Sequence, residues 1–167
     1  HCFNIESEAE LQRINEIAIN NSQVAPISIR VNPDVNADTH PYISTGLKEN
    51  KFGISMEKAI QLYLHAKKMQ GICIKGLDFH IGSQLTSIRP ILDALDRILT
   101  LNDQLLSRGV TIEHINIGGG LGVTYNDEIP PTPDELISAV KGKLRGSGLK
   151  IVVEPGRSIA ANAGILV

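Results

Sequence analysis

Neither sign of charge dominates this sequence: 16 lysines and arginines stand against 18 aspartates and glutamates, mixed along 167 residues. The balance leaves no basic stripe for nucleic acid and no polybasic segment for an anionic bilayer, so a small-molecule partner is expected. No stretch approaches the roughly 20 consecutive apolar residues of a membrane span, and no basic segment followed by an apolar run opens the chain. The expected setting is the cytoplasm. Cysteine is scarce: Cys2 and Cys73 form no metal-ligand spacing with each other or with His1, His40, His65, His80 and His114. They are read as buried free thiols, with no metal site and no disulfide. There is no low-complexity segment, and the first residue is His1 rather than methionine. The chain starts in what reads as a strand and stops in the apolar Gly164-Ile165-Leu166-Val167, and both ends are read as cut.

A hydrophobic fraction of 42% suffices for a core of one domain's size. Five short apolar runs, at 2–5, 26–31, 72–79, 112–117 and 150–153, alternate with stretches of helical period. That alternation marks parallel βα units. The runs are expected to be apolar on both faces, as buried parallel strands are. Ser7-Glu8-Ala9-Glu10 fits a capping box before a first helix, and a second helix starts near Ser55. A third, bearing Ile91, Leu95, Ile98 and Leu105, ends at Gly109 in a left-handed cap; a fourth opens at Thr132-Pro133-Asp134-Glu135 and ends near Gly146. Two longer connections, 32–54 and 118–133, interrupt the spacing, and loops of that length are usually functional. Five strands and four helices fit an open doubly wound sheet or part of a closed barrel, and periodicity leaves both open.

A polar cluster follows each strand: Glu6-Ser7, Arg30-Val31-Asn32-Pro33, His80-Ile81-Gly82-Ser83-Gln84, Gly118-Gly119-Gly120-Leu121-Gly122 and Glu154-Pro155-Gly156-Arg157. In parallel α/β architectures the loops at that edge converge, so distant residues can meet around one ligand. Gly118, Gly119 and Gly120 let backbone amides approach an anion such as phosphate, or simply make a tight turn. The dinucleotide fingerprint is absent, since its third glycine would fall on Val123, and there is no Walker lysine. Glu154 could keep a heteroaromatic nitrogen protonated and Arg157 could bind a phosphate or carboxylate; a plain ion pair at a loop is the other reading. His80 is either a satisfied core residue or, beside Gly82 and Ser83, a flat ring that stacks on a cofactor. Ser55-Met56-Glu57-Lys58 has the Ser-x-x-Lys spacing of β-lactamases but none of the accompanying motifs, and reads as a helix start.

Taken together, Phe3-Asn4-Ile5-Glu6-Ser7, Arg30-Val31-Asn32-Pro33-Asp34, His40-Pro41-Tyr42-Ile43-Ser44-Thr45-Gly46, Asn50-Lys51-Phe52-Gly53 and the clusters at His80, Gly118 and Glu154 resemble the diaminopimelate decarboxylases. The His-Ile-Gly-Ser and Glu-Pro-Gly-Arg motifs occur across the alanine-racemase-fold decarboxylases; the segments 40–46 and 50–53 point to diaminopimelate. The resemblance implies a (β/α)8 TIM barrel of alanine-racemase type, these strands being the fourth to eighth. Residues 1–160 would be the C-terminal part of the barrel and 161–167 the start of a connection to a β domain. It implies pyridoxal 5′-phosphate (PLP) as cofactor: His80 against the ring, Ser83, Gly118, Gly119, Gly120, Pro155 and Gly156 around the phosphate, and Glu154 on the pyridine nitrogen. Arg157 would contact a substrate carboxylate or the phosphate.

The implied reaction is decarboxylation of meso-diaminopimelate to L-lysine by a homodimer. Two features of the family are missing from these 167 residues: the Tyr-Ala-x-Lys-Ala-Asn segment with the Schiff-base lysine, and an acidic cysteine-containing motif. The chain alone is therefore expected to be inactive. An arginine, ornithine or carboxynorspermidine decarboxylase of the same fold, a non-catalytic barrel, and a phosphate-binding barrel enzyme without PLP are the competing readings.

Overall fold

The computed structural model describes residues 2–35 and 52–164. In chain order the elements are β1 (Phe3–Ile5), α1 (Glu8–Asn20), β2 (Ala25–Asn32), β3 (Ile54–Ser55), α2 (Met56–Ala66), β4 (Ile72–Asp78), α3 (Arg89–Leu106), β5 (His114–Asn116), α4 (Pro133–Lys143), β6 (Lys150–Val152) and α5 (Arg157–Ala160). The five expected strands and four expected helices are present. The two-residue β3 beside β2 and the single turn α5 carried no sequence signal. No helix among the described residues is long and apolar enough to cross a membrane.

Every strand pairing is parallel, and the order is β1-β2-β4-β5-β6, with β3 beside the end of β2. A doubly wound sheet reverses its strand order at a switch point. Here each main strand lies next to the one before it, which is the singly wound order of a barrel. The choice left open by periodicity is settled by this topology.

The strands are two-faced. Ile5, Ile29, Leu77, Ile115 and Ile151 stand in register on one side. They join Leu11, Tyr63, Leu95, Ile98 and Val140 of the helices in one core. The other side carries Asn4, Ser28, Gly76, His114 and Lys150 in one row, and Arg30, Asp78, Asn116 and Val152 in the next. The expectation of apolar residues on both faces is thus corrected: the second face is polar. A bulge produces part of this. The register between β2 and β4 shifts after Ile27, so Ile74 opposes Ile27 but Gly76 opposes Ser28. The extra residue, Lys75, moves the apolar parity of β4 from Ile72 and Ile74 to Leu77 and Phe79, and turns Asp78 to the polar side. Gly76 leaves room there for the His114 ring, whose Nε2 lies 2.1 Å from where a Cβ would stand.

Caps explain the helix boundaries. Thr132 forms a full capping box with Glu135. At α1 the box is only half made: the Ser7 hydroxyl accepts from the Glu10 amide, but the Glu10 carboxylate accepts from the amide of Glu6 rather than that of Ser7. Past α3, Gly109 at φ +71° donates to Leu106 and Val110 donates to Leu105, the Schellman pattern the glycine foretold. Cys2 and Cys73 are free but only half-buried, contrary to their expected full burial.

Thr132→Ala is expected to destabilise the whole protein by about 1 kcal/mol, whereas Ser55→Ala, whose hydroxyl makes no cap bond, should shift the urea midpoint very little; equal shifts would contradict the capping assignment.

Candidate functional site

The loops that follow β4, β5 and β6 interlock. The Gly119 amide donates to Nδ1 of His80 at 3.3 Å, the Glu154 amide to the Gly118 carbonyl at 2.8 Å, and the Leu85 amide to the Gly120 carbonyl at 2.8 Å. The packing is too tight for side chains in the glycine run. A Cβ at Gly119 would lie 2.1 Å from the Glu154 carbonyl oxygen, and one at Gly120 would lie 2.0 Å from that of Gly82. Gly118 and Gly120 also have positive φ, at +66° and +102°. The tight-turn reading of the glycines is therefore correct, and the same turn brings their backbone beside His80 and Glu154.

Arg157, in the first turn of α5, donates from its guanidinium to the Ser83 hydroxyl and, at 3.2 Å, to the Tyr125 hydroxyl. The candidates His80, Ser83, Gly118, Gly119, Gly120, Glu154 and Arg157 thus form one continuous cluster. Pro155 and Gly156 belong to it through a small cavity of 180 Å³ that they line with the glycine run. On the polar face of the sheet an open cleft of 710 Å³ runs past His114, Asn116 and Val152 to Glu154.

Four polar residues of that face escaped the sequence reading as site residues or were noted only as loop neighbours. Arg30 pairs with Glu6 at 2.8 Å and its guanidinium lies over the Phe52 ring, 5.4 Å from the centroid. Asn116 donates from Nδ2 to Oε1 of Glu154 at 2.7 Å. Asp78 is 4% exposed, and among the described residues its Oδ1 has no hydrogen-bond partner. The period-two polar residues of the strands (Asn4 and Glu6, Ser28 and Arg30, His114 and Asn116) were the signal that could have exposed this face. The segment 40–46 and residues Asn50 and Lys51 lie outside the described residues.

The electrostatics follow from burial and neighbours. Burial, aided by the Arg30 charge and opposed by Glu154, holds His80 below its ordinary pKa. Accepting from Gly119 at Nδ1 places the ring proton on Nε2, so the imidazole is neutral near pH 7. Asp78 is pushed up to about 7, first by burial and then by the charge of Glu154, with Arg30 opposing. The cluster therefore offers a flat neutral ring, a carboxylate, a hydroxyl, a guanidinium and backbone amides at one edge of the sheet.

Residues 1–161 match the family model described as pyridoxal-dependent decarboxylase, pyridoxal binding domain. The chain is 56% identical over 167 residues to the diaminopimelate decarboxylase of Haemophilus influenzae, covering 99% of this chain and 40% of that protein. The crystal structure of diaminopimelate decarboxylase from Helicobacter pylori complexed with L-lysine superposes with a TM-score of 0.90 at 41% identity, over 95% of this chain and 40% of the other. The lysine/ornithine decarboxylase of Vibrio vulnificus complexed with putrescine gives 0.77 at 26% identity, over 98% and 40%. The chain spans about 40% of the length of these relatives.

A carboxyl whose folded pKa is raised favours the fold fully below its ordinary value of 3.8 and loses that contribution as pH rises through about 7. Asp78→Asn removes this dependence. Relative to the unsubstituted protein, the variant should gain about 2–4 kcal/mol between pH 4 and pH 8, read from urea unfolding at both pH values; a constant difference would show that Asp78 does not titrate in that window.

Proposed function

The chain belongs to the pyridoxal-dependent decarboxylases, and from that membership we propose that the whole protein decarboxylates meso-diaminopimelate to L-lysine, with PLP held on the loops after β4, β5 and β6. The observation that carries the proposal is the convergence of His80, Glu154, Ser83 and Arg157 on the glycine run. PLP offers a basic ring nitrogen, an aromatic face and a phosphate. A carboxylate, a neutral imidazole and a set of hydroxyl, guanidinium and amide donors complement those three features, so the residues present fit the group.

Bound there, PLP supplies a protonated ring that accepts the electron pair left at Cα when carbon dioxide departs. The residues of this chain divide the remaining work. The Glu154 carboxylate holds the proton on the pyridine nitrogen, since a negative charge at that position favours the protonated ring. His80, uncharged and held by the Gly119 amide, would pack on the ring without competing for its charge. Ser83 and the amides of Gly120 and Gly156 would hold the phosphate, while Gly118 and Gly119, whose amides are engaged by Asn116 and His80, shape the turn beside it and Pro155 fixes the turn before Gly156. Arg157 binds the phosphate or a substrate carboxylate, for which its planar fork suits both.

The Schiff-base lysine and the cysteine-containing motif of the family have no counterpart among these 167 residues, so turnover belongs to the whole protein, which we take to be a cytoplasmic homodimer. The higher identity to the diaminopimelate enzymes, 56% and 41%, than to the lysine/ornithine enzyme, 26%, supports diaminopimelate as the substrate. The fold is shared by both groups and does not discriminate.

The test is carbon dioxide release by the whole protein with PLP from meso-diaminopimelate, ornithine and arginine in parallel. Release from diaminopimelate alone is expected, and Glu154→Gln should lower kcat on the order of 100-fold. Release only from ornithine or arginine would move the substrate while keeping the site, and no release from any would refute the enzyme reading.

A further inference from the structure

Asn116 is one of three buried polar residues among those described, at 4% exposed. Both ends of its side-chain amide are used. Oδ1 accepts from the amide of Gly118 at 2.9 Å, and Nδ2 donates to Oε1 of Glu154 at 2.7 Å. The first bond makes an Asx turn, the local means by which an asparagine at a strand end starts a loop. It also decides the orientation of the amide. A backbone N–H can only donate, so the oxygen must face Gly118, and the Nδ2 donor is thereby aimed at Glu154.

Glu154 itself sits just past the end of β6 and is exposed, where a free glutamate would sample several rotamers at an entropic cost to any single one. With Oε1 engaged by Asn116, the direction in which Oε2 points is restricted. Asn116 and Val152 are direct partners across β5 and β6, so the donor lies one pleat below the carboxylate it holds. The same side chain therefore joins the glycine loop to the acid.

We propose that Asn116 is a positioning residue that aims the Glu154 carboxylate at the pyridine nitrogen of the cofactor and couples that aim to the shape of the Gly118 turn. The proposal rests on PLP being held as described above. An Asx turn alone would need only Oδ1; the second bond, across the strands, is what assigns the additional role. Around the pair stand Asp78 on β4, Arg30 on β2 and Glu6 after β1, which share its electrostatic environment. Among the described residues, the side-chain hydrogen bond to the Glu154 carboxylate comes from Asn116 and not from these charged neighbours.

The test is a double-mutant cycle on PLP binding. Cofactor-free whole protein carrying N116D, E154Q, both or neither is titrated with PLP, and the dissociation constant and absorption maximum of the bound cofactor are read. Aspartate at 116 keeps the size and the acceptor for Gly118 but sets one carboxylate against another. Binding should weaken about tenfold or more when Glu154 is present, with a shifted absorption maximum. The loss should be less than about twofold in the E154Q background, where the glutamine amide can donate to the new acid. N116A, which adds no charge but removes the Gly118 bond as well, should weaken binding severalfold more with Glu154 present than in the E154Q background, and serves if N116D fails to fold. Equal losses in both backgrounds, or no loss in either, would overturn the role and leave Asn116 as a loop-shaping residue. Failure of the unsubstituted protein to bind PLP would instead overturn the cofactor reading, and this proposal with it.

Discussion

Three loops share a space in which two side chains cannot exist. The Glu154 carbonyl oxygen occupies the position a Cβ of Gly119 would crowd, and the Gly82 carbonyl oxygen does the same at Gly120. Much of the candidate site depends on this contact. It draws the end of β6 against the loop after β5, so that Glu154 comes within reach of Asn116. The same loop also lies close enough to β4 for the Gly119 amide to reach His80. An alanine at either glycine would force backbone, not a flexible side-chain tip, to move. The glycines thus serve the packing of loop on loop first, and their proximity to any anion follows from it.

The sheet beneath has a division of labour that parallel strands buried on both faces by helices lack. One face is packed by α1 to α4 into a single apolar core; the other carries Asn4, Glu6, Arg30, Asp78, His114 and Asn116. The polar face is where a barrel of this strand order has its interior. Burying the Asp78 carboxyl there has electrostatic consequences. Asp78 is raised first because solvent is largely excluded and then because Glu154 is close, while Arg30, held by Glu6 and the Phe52 ring, opposes the rise. These charges are coupled members of one field.

Much of this was legible before the fold was known. The strand and helix alternation, the capping box at Thr132, the Gly109 terminus and the position of each polar cluster after a strand all follow from local chemistry. Other features were not. Apolar runs such as 72–79 read as buried on both faces because the bulge at Lys75 switches the parity midway, so neither parity is polar throughout. Asn116 read as one residue of an apolar strand, since its two partners are Gly118, two residues away, and Glu154, just past the end of another strand. The Ser7 box was legible only by half, because the Glu10 carboxylate had a competing amide at Glu6 that spacing does not weigh.

By itself, the sequence determined which residue types follow each strand and which helices begin and end where, because caps, glycines and hydrophobic period act over four residues or fewer. It also carried the motifs that tie the chain to its family. Only the tertiary structure decided that the strands run in singly wound order, and that one face is polar. It alone brought Arg157 to Ser83 and Tyr125, and gave Glu154 its partner in Asn116. Those outcomes depend on strand register and on contacts between residues tens of positions apart, which no local preference encodes.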